Sequence, residues 1–245
     1  MLTEGGALAA PEARQAMCYA FPYDEVIQGI YEGKLERAAG PVAATVQGFN
    51  PDTFVYPTDL AKTKELFAAA GVAEGTELTL MLETGAPLNN AAAQLYQANL
   101  EQIGMRLTIE AVDTPSFTGT FYGDAPAEER PNVMPWSWWP DYSDAWNQLY
   151  PIISCESWGS KGGNGGLYCN ERVEELLATA KDAPNAAAYN AALAEAQQIL
   201  TRDDPAAIYW AQGTQETALR QDVAGFVANP INIATYDFYR LSRQT

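Results

Sequence analysis

Two spacings of apolar residues alternate along this chain. Residues 77–83 and 105–112 place an apolar side chain at every second position, the period of a half-buried strand. Between them, residues 87–103 carry Ala91, Leu95, Ala98 and Ile103 near one helical stripe, with Pro87 at the start and Gly104 just past the end. Proline is tolerated in the first helical turn and glycine suits the left-handed residue that ends a helix, so an amphipathic helix is predicted there. Strand, helix and strand in that order predict an α/β fold with parallel pairing: a mixed sheet flanked by helices.

Other segments surround this unit. Pro11 opens a helix in which Ala13, Ala16, Met17 and Ala20 recur at helical spacing. Pro22 interrupts it, and a short second helix is predicted over 23–31. Residues 33–58 have no period and are rich in Gly, Pro, Asn and Asp, which predicts a long surface loop of the functional or bridging kind. Asp59 is placed to N-cap a helix over 60–70 that Gly71 ends. A short helix is predicted over 114–122, and a third strand over 132–139 between Pro131 and Pro140. Helices are predicted over 170–181 and 186–201, separated by Pro184, then strands over 206–212, 216–220 and 223–227.

Composition narrows the class. A chain of 245 residues buries about 70–75% of the surface its unfolded form exposes, enough for a core without staples. Hydrophobic residues make up 47% and charged residues 18%, a globular balance. Fourteen Lys+Arg against 31 Asp+Glu give a net charge of −17 and no basic patch, which argues against nucleic acid and anionic membranes as partners. Such a charge serves solubility, and it suits a cationic or zwitterionic ligand. No run of 18 apolar residues exists to span a membrane. The opening Met1-Leu2-Thr3-Glu4-Gly5-Gly6 has neither the basic nor the apolar part of a signal peptide.

Histidine is absent, which removes Ser-His and Cys-His nucleophile pairs and His-rich zinc sites; no metal or cofactor is expected. Cys18 lies in an apolar helical run and reads as a buried small hydrophobe. Cys155 and Cys169 bracket a glycine-rich loop whose flexibility lets the two thiols meet. A disulfide there stabilises by roughly 3 kcal/mol and implies an oxidising compartment.

The densest chemistry is the stretch from Pro135 to Trp146, which holds four of the six tryptophans. On a strand, Trp136 and Trp138 project to one face and Trp139 to the other, and Pro140 ends the strand. Asp141 then emerges at the strand's C-terminal end, where α/β sheets place ligands, with Tyr142 beside it. Ser143 is placed to cap the following helix, with Asp144 in its first turn. One reading is a binding wall, in which indole faces meet apolar groups, sugar rings or cations and Asp141 holds an ammonium. The other is that the tryptophans are core and Asp141 caps a turn. Asp141 with Asp144 or Glu156 also resembles the carboxylate pair of a glycosidase, although paired carboxylates carry little information among so many. Nucleotide-binding and zinc-protease motifs are absent, and 159–166 is read as a flexible glycine-rich loop.

The order of motifs resembles the large bacterial solute-binding proteins of the dipeptide/oligopeptide class, extracellular solute-binding family 5, which deliver ligand to ABC importers. The matching pieces are 11–20, Asp24-Glu25-Val26-Ile27, Gly40-Pro41, 59–66 with Ala70-Gly71, 77–80, 99–104 and Trp138-Trp139-Pro140-Asp141-Tyr142-Ser143-Asp144. The family closes two lobes around its ligand. The resemblance therefore implies that residues 1–205 form a ligand-binding lobe and 206–245 a segment returning toward a missing N-terminal lobe. It implies a periplasmic or extracytoplasmic, non-enzymatic protein whose partners are a solute (peptide or oligosaccharide) and ABC permease subunits. In peptide-binding members the aspartate of the Trp-x-x-Asp-Tyr motif holds the ligand's α-amino group. Here that implies Asp141, with Trp138 as the motif tryptophan and Trp136 and Trp139 as an enlarged aromatic surface. The Asp-Pro that often follows the motif is Asp144-Ala145 in this chain.

Overall fold

The computed structural model describes residues 1–213, 216–229 and 236–244. In chain order its elements are α1 (Pro11–Ala20), β1 (Glu36–Arg37), α2 (Leu60–Ala69), β2 (Glu77–Glu83), α3 (Pro87–Gln102), β3 (Arg106–Val112) and α4 (Thr114–Phe121). Then come α5 (Ala145–Ile153), α6 (Glu171–Lys181), α7 (Ala186–Gln198), β4 (Ala211–Gln212), β5 (Val223–Ala224) and β6 (Ser242–Arg243). Widened helical turns occupy Glu25–Ile30 and Ile199–Asp203.

The strand–helix–strand unit is present. β2 and β3 run parallel from Glu77 opposite Arg106 to Glu83 opposite Val112, with α3 as the crossover. Leu78, Leu80 and Leu82 alternate into the core. The buried face of α3 is Ala92, Ala93, Tyr96 and Leu100, rotated from the stripe through Ala91, Leu95 and Ala98 that the sequence predicts. Tyr96 decides the rotation, because its ring is a larger apolar load and its hydroxyl finds a partner, the Met17 carbonyl, at 2.8 Å. Asn99 donates to the Ala20 carbonyl at 2.9 Å, so α3 supplies partners for the otherwise open C-terminal end of α1. Asp59 caps α2 through the Lys62 N–H at 2.9 Å. Gly71 and Gly104 end their helices at φ 72° and 82°.

The predicted third strand shrinks to one bridge. Val133 pairs in parallel with Leu80, and the Asn132 side chain takes the Thr79 N–H at 2.8 Å. Pro135 and Pro140 then remove two backbone donors, and the chain from 134 to 144 runs without a ladder partner. The C-terminal strands are also shorter than predicted. Only Ala211–Gln212 pairs with Glu36–Arg37, antiparallel, and only Val223–Ala224 pairs, with Ser242–Arg243. Gly225, at φ 82°, turns the chain immediately after β5. Residues 216–220 form no strand, and 214–215 lie outside the described residues.

Two hydrophobic cores result. The first joins α1, α2, α3, β2 and β3 around Met17, Phe67, Leu78, Tyr96 and Leu107. The second joins α5, α6 and α7 around Leu149, Val173, Leu177, Leu193 and Leu200. The 33–58 segment, predicted as surface, crosses between them: Tyr56 belongs to the first, and Val42 and Val46 to the second. Arg37 holds it, donating to the Tyr56 and Trp210 carbonyls at 2.7 and 3.0 Å and lying 3.3 Å over the Tyr23 ring. Asp204 ties the cores together. It pairs with buried Arg14 of α1 and accepts from Tyr168 and Asn170, at 3.1 and 2.7 Å. Cys18 is buried and unpaired, and burial pushes its thiol up to about 12, which leaves it an inert hydrophobe.

Candidate functional site

The Pro135–Trp146 stretch is the bridge between the cores. Val133 is buried in the first and Ala145 in the second, so the residues between them are stretched across the joint; Pro140 is buried there and Trp138 half-buried, while Trp136, Trp139, Asp141 and Tyr142 face solvent. Trp136, Trp139 and Tyr142 are 41%, 54% and 54% exposed, far above what a core role allows.

The tryptophans differ in support. Trp136 stacks on Phe121 at 4.3 Å and 22° and on Phe117 at 6.2 Å, and meets Tyr122 edge-on at 5.4 Å. Phe117 and Phe121 are one helical turn apart on α4, so the helix fixes the indole plane before any ligand arrives. Trp138 is half-buried, and its indole N–H is shielded without a partner among the described residues. Trp139 projects with no aromatic ring against it among the described residues.

The glycine-rich loop is the backing of this wall rather than a free loop. Gly163 and Asn164 are buried, and the Asn164 amide reaches the carbonyls of Ser154 and Tyr168 at 3.0 and 2.7 Å. A Cβ on Gly163 would come 3.2 Å from Ile152 and 3.7 Å from the Trp138 ring; one on Gly165 would meet the Phe121 ring at 2.6 Å. Only glycine lets the loop approach that closely. Cys155 and Cys169 are joined by a disulfide across the loop's base. Glu174 of α6 accepts from the Cys155 N–H and the Ser154 hydroxyl, both at 3.0 Å. Arg130 ties the loop to α4 by donating to the carbonyls of Gly165 and Thr120, at 3.3 and 3.0 Å.

Asp141 is exposed, and its carboxylate has no partner among the described residues. Its position is nevertheless fixed, because its N–H donates to Oδ1 of buried Asn147 at 2.6 Å. Asp144, not Ser143, caps α5, accepting from the Trp146 N–H at 2.8 Å. The Ser143 hydroxyl instead accepts from the Gln47 N–H at 3.2 Å, which pulls it off the helix axis toward the 33–58 segment. Asp144 also accepts from Tyr189, and burial followed by that carboxylate raises the Tyr189 phenol. Glu156 takes the Tyr150 hydroxyl at 2.7 Å. Asp144 and Glu156 are therefore engaged in structural hydrogen bonds, which weakens both as partners of Asp141 in a glycosidase pair.

Beside Tyr142 lies an open cleft of about 310 Å³, lined by Tyr142, Asp144, Trp146, Lys181 and Tyr189. Another, of about 500 Å³, lies against Tyr23, Arg37 and Tyr56. Neither takes in Trp136, Trp138 or Asp141; with Trp136, Trp139 and Asp141 all exposed, the wall is an open shelf. Among the described residues no cluster of three metal-ligating side chains occurs, and no helix is long and apolar enough to cross a membrane.

Sequence reasoning missed Phe117, Phe121, Asn147 and Lys181. The phenylalanines carried a signal in their four-residue spacing within a predicted helix. Asn147 and Lys181 carried none, because each comes near this stretch only through the fold.

The chain as a whole is similar to known proteins. The description of bacterial extracellular solute-binding proteins, family 5 middle region, matches residues 1–160. The dipeptide-binding protein of Escherichia coli (strain K12) is 27% identical over 226 residues, covering 90% of this chain and 41% of its own length. The glutathione-binding protein GsiB of Salmonella paratyphi A is 26% identical over 198 residues, covering 80% and 38%. Two solved structures share the fold at 24% identity over 100% of this chain. HbpA2 from Haemophilus parasuis has a TM-score of 0.84 with 47% of that chain covered. The periplasmic binding protein DppA from Helicobacter pylori, in complex with the peptide STSA, has a TM-score of 0.83 with 46% covered. The chain spans about two fifths of the length of these curated relatives.

Proposed function

The chain belongs to the bacterial extracellular solute-binding proteins of family 5, and on that premise we propose that it is the ligand-holding lobe of an ABC importer's solute-binding component, taking short peptides. The observation that carries this reading is an unpartnered, positionally fixed carboxylate, Asp141, beside a wall of exposed indoles. An ammonium at that carboxylate regains a counter-charge, and the peptide's side chains lie along Trp136, Trp138 and Trp139, with Tyr142 at the other flank. The curated relatives named for dipeptides and for glutathione agree with a small ligand bearing an α-amino group.

The shelf is open, whereas ligand sites bury about 70–90% of a small ligand's surface. Capture thus requires a second surface, supplied by an N-terminal lobe approached through residues 206–245, with hinge closure enclosing the ligand. Delivery then goes to ABC permease subunits in a periplasmic or extracytoplasmic setting, where the Cys155–Cys169 disulfide persists. Nothing in this scheme calls for catalysis or a cofactor.

Titration of tryptophan fluorescence with short peptides tests it. Asp141→Asn is expected to remove most of the peptide affinity, and N-acetylation of the peptide to do the same. If Trp138→Ala abolishes binding while Asp141→Asn leaves it intact, the ligand is held by stacking, and a neutral oligosaccharide replaces the peptide.

A further inference from the structure

The Cys155–Cys169 disulfide closes the loop behind the wall, and its two halves differ in access: Cys169 is exposed and Cys155 half-buried. The two limbs of the loop support different indoles. The outgoing limb brings Gly163 under the Trp138 ring and is fastened without the sulfurs, by the Gly163 N–H on the Pro151 carbonyl at 2.8 Å. The returning limb brings Gly165 against Phe121, which carries Trp136. That limb is strained. Leu167, buried in it, sits at φ 55°, a left-handed conformation that a bulky side chain adopts only when its surroundings force it. Hydrogen bonds hold it there: Asn164 accepts from the Tyr168 N–H at 2.9 Å and donates to its carbonyl at 2.7 Å, and the Thr3 N–H donates to the Gly166 carbonyl at 2.9 Å. The covalent restraint is the disulfide, two residues on. Cutting it leaves hydrogen bonds alone to oppose the strain at Leu167.

We propose that this disulfide is a redox control on Trp136. Oxidised, it keeps the returning limb pressed on Phe121 and the indole seated for capture. Reduced by an external dithiol, it lets Leu167 relax to the extended region, draws Gly165 off Phe121, and weakens solute binding. The effect on binding rests on the Asp141 reading above; the effect on Trp136 does not. In the first step a thiolate of the dithiol attacks the exposed Cys169 sulfur, the S–S bond breaks, and its electron pair leaves on the Cys155 sulfur. The second thiol of the dithiol then displaces the Cys169 sulfur. Two electrons and two protons pass to the protein, whose sulfurs end as thiols, and the reductant ends as its own disulfide. Trp138 stays in place throughout, because the limb beneath it is fastened apart from the sulfurs.

The test uses the 245-residue chain, oxidised and after dithiothreitol, with indole N–H signals followed in ¹⁵N-labelled protein and the tripeptide Ala-Ala-Phe as ligand probe. Alkylation of two thiols, with buried Cys18 left unmodified, marks protein that is reduced and still folded. In that protein the Trp136 signal is expected to shift while the Trp138 signal holds. Affinity for the tripeptide is expected to fall about fivefold, the scale of one interface side chain that must be ordered on binding. The double change Cys155→Ser with Cys169→Ser should show the reduced pattern from the start and ignore dithiothreitol. An unmoved Trp136 signal in the reduced protein overturns the proposal, and if N-acetylation of the peptide still weakens binding, the Asp141 reading stands without it. A Trp136 shift with unchanged affinity removes the control of binding. Collapse of every indole signal means that reduction unfolds the chain and that no local switch exists. Absence of tripeptide binding in both states overturns the Asp141 reading and the control of binding together.

Discussion

The two cores are built on different principles. The sheet core closes through repetitive backbone pairing: seven matched residue pairs between β2 and β3, a crossover helix, and leucines at alternate positions. Among the described residues the helical core has no strand ladder. It relies on polar ties at single residues, among them Asn164 on two loop carbonyls, Glu174 on the Cys155 N–H, and the Cys155–Cys169 disulfide. The 134–144 stretch fastens to one of each kind, at Val133 and Ala145. Trp136 and Trp139 can remain solvent-facing there because the two ends, with Pro140 buried between them, supply the anchoring burial.

Breaking the joint between the cores has the largest expected effect. Arg14→Met leaves Asp204 without its cation in a setting where the two side chains are 4% and 14% exposed. Losing one partner of such a pair costs about 3–5 kcal/mol. Tyr168 and Asn170 still donate to Asp204, which places the expected loss in urea denaturation at the lower end, about 3 kcal/mol. A loss below about 1 kcal/mol would mean that apolar contact alone joins the cores.

Next comes the double change Cys155→Ser with Cys169→Ser, expected to cost about 2–3 kcal/mol for a loop of this length. Its effect sharpens the comparison if amide exchange accelerates in α6 and the 155–169 loop while β2 and β3 keep their protection. Equal acceleration everywhere would erase the distinction between the cores.

Gly165→Ala drives a methyl into the Phe121 ring and is expected to cost about 2 kcal/mol by overpacking. Because Phe121 supports Trp136, near-ultraviolet circular dichroism should change along with stability. A stability loss with an unchanged aromatic spectrum would detach the loop from the wall.

The smallest effect is at Asp124, whose carboxyl is held below its ordinary value of 3.8 by the Ser160 N–H at 3.0 Å. A lowered folded-state pKa stabilises above the unfolded value, and that contribution disappears as pH falls through the folded one. Asp124→Asn should therefore shift stability slightly at neutral pH, with the difference from the parent protein closing at the acid end. A difference that grew on acidification would reverse the sign and remove this tie.

The sequence was most informative where structure is periodic. β2 runs over 77–83 as its alternation implies; Pro11 and Pro87 sit in the first turns of α1 and α3; Asp59 caps α2. The same reading overextended the third strand to 139, because tryptophan-rich runs have high strand propensity whether or not a partner strand exists. Only Val133 found one. It also placed the helical stripe of α3 on the wrong residues, since small alanines at several phases left Tyr96 to decide the buried face.

Legible in short windows were the α/β class, the Asp59 cap of α2, the Pro and Gly ends of α3, and the aromatic–acidic character of 135–146, whereas the expected Ser143 cap passed to Asp144. Only the assembled fold shows that Trp136 rests on Phe121, that Gly163 and Gly165 admit the disulfide loop behind the wall, and that Asn147 steadies Asp141. Local periods and caps are energies of a few neighbouring residues, legible in a short window. Contacts between residues far apart in the chain depend on how two separately built cores are joined, and no short window contains that joint.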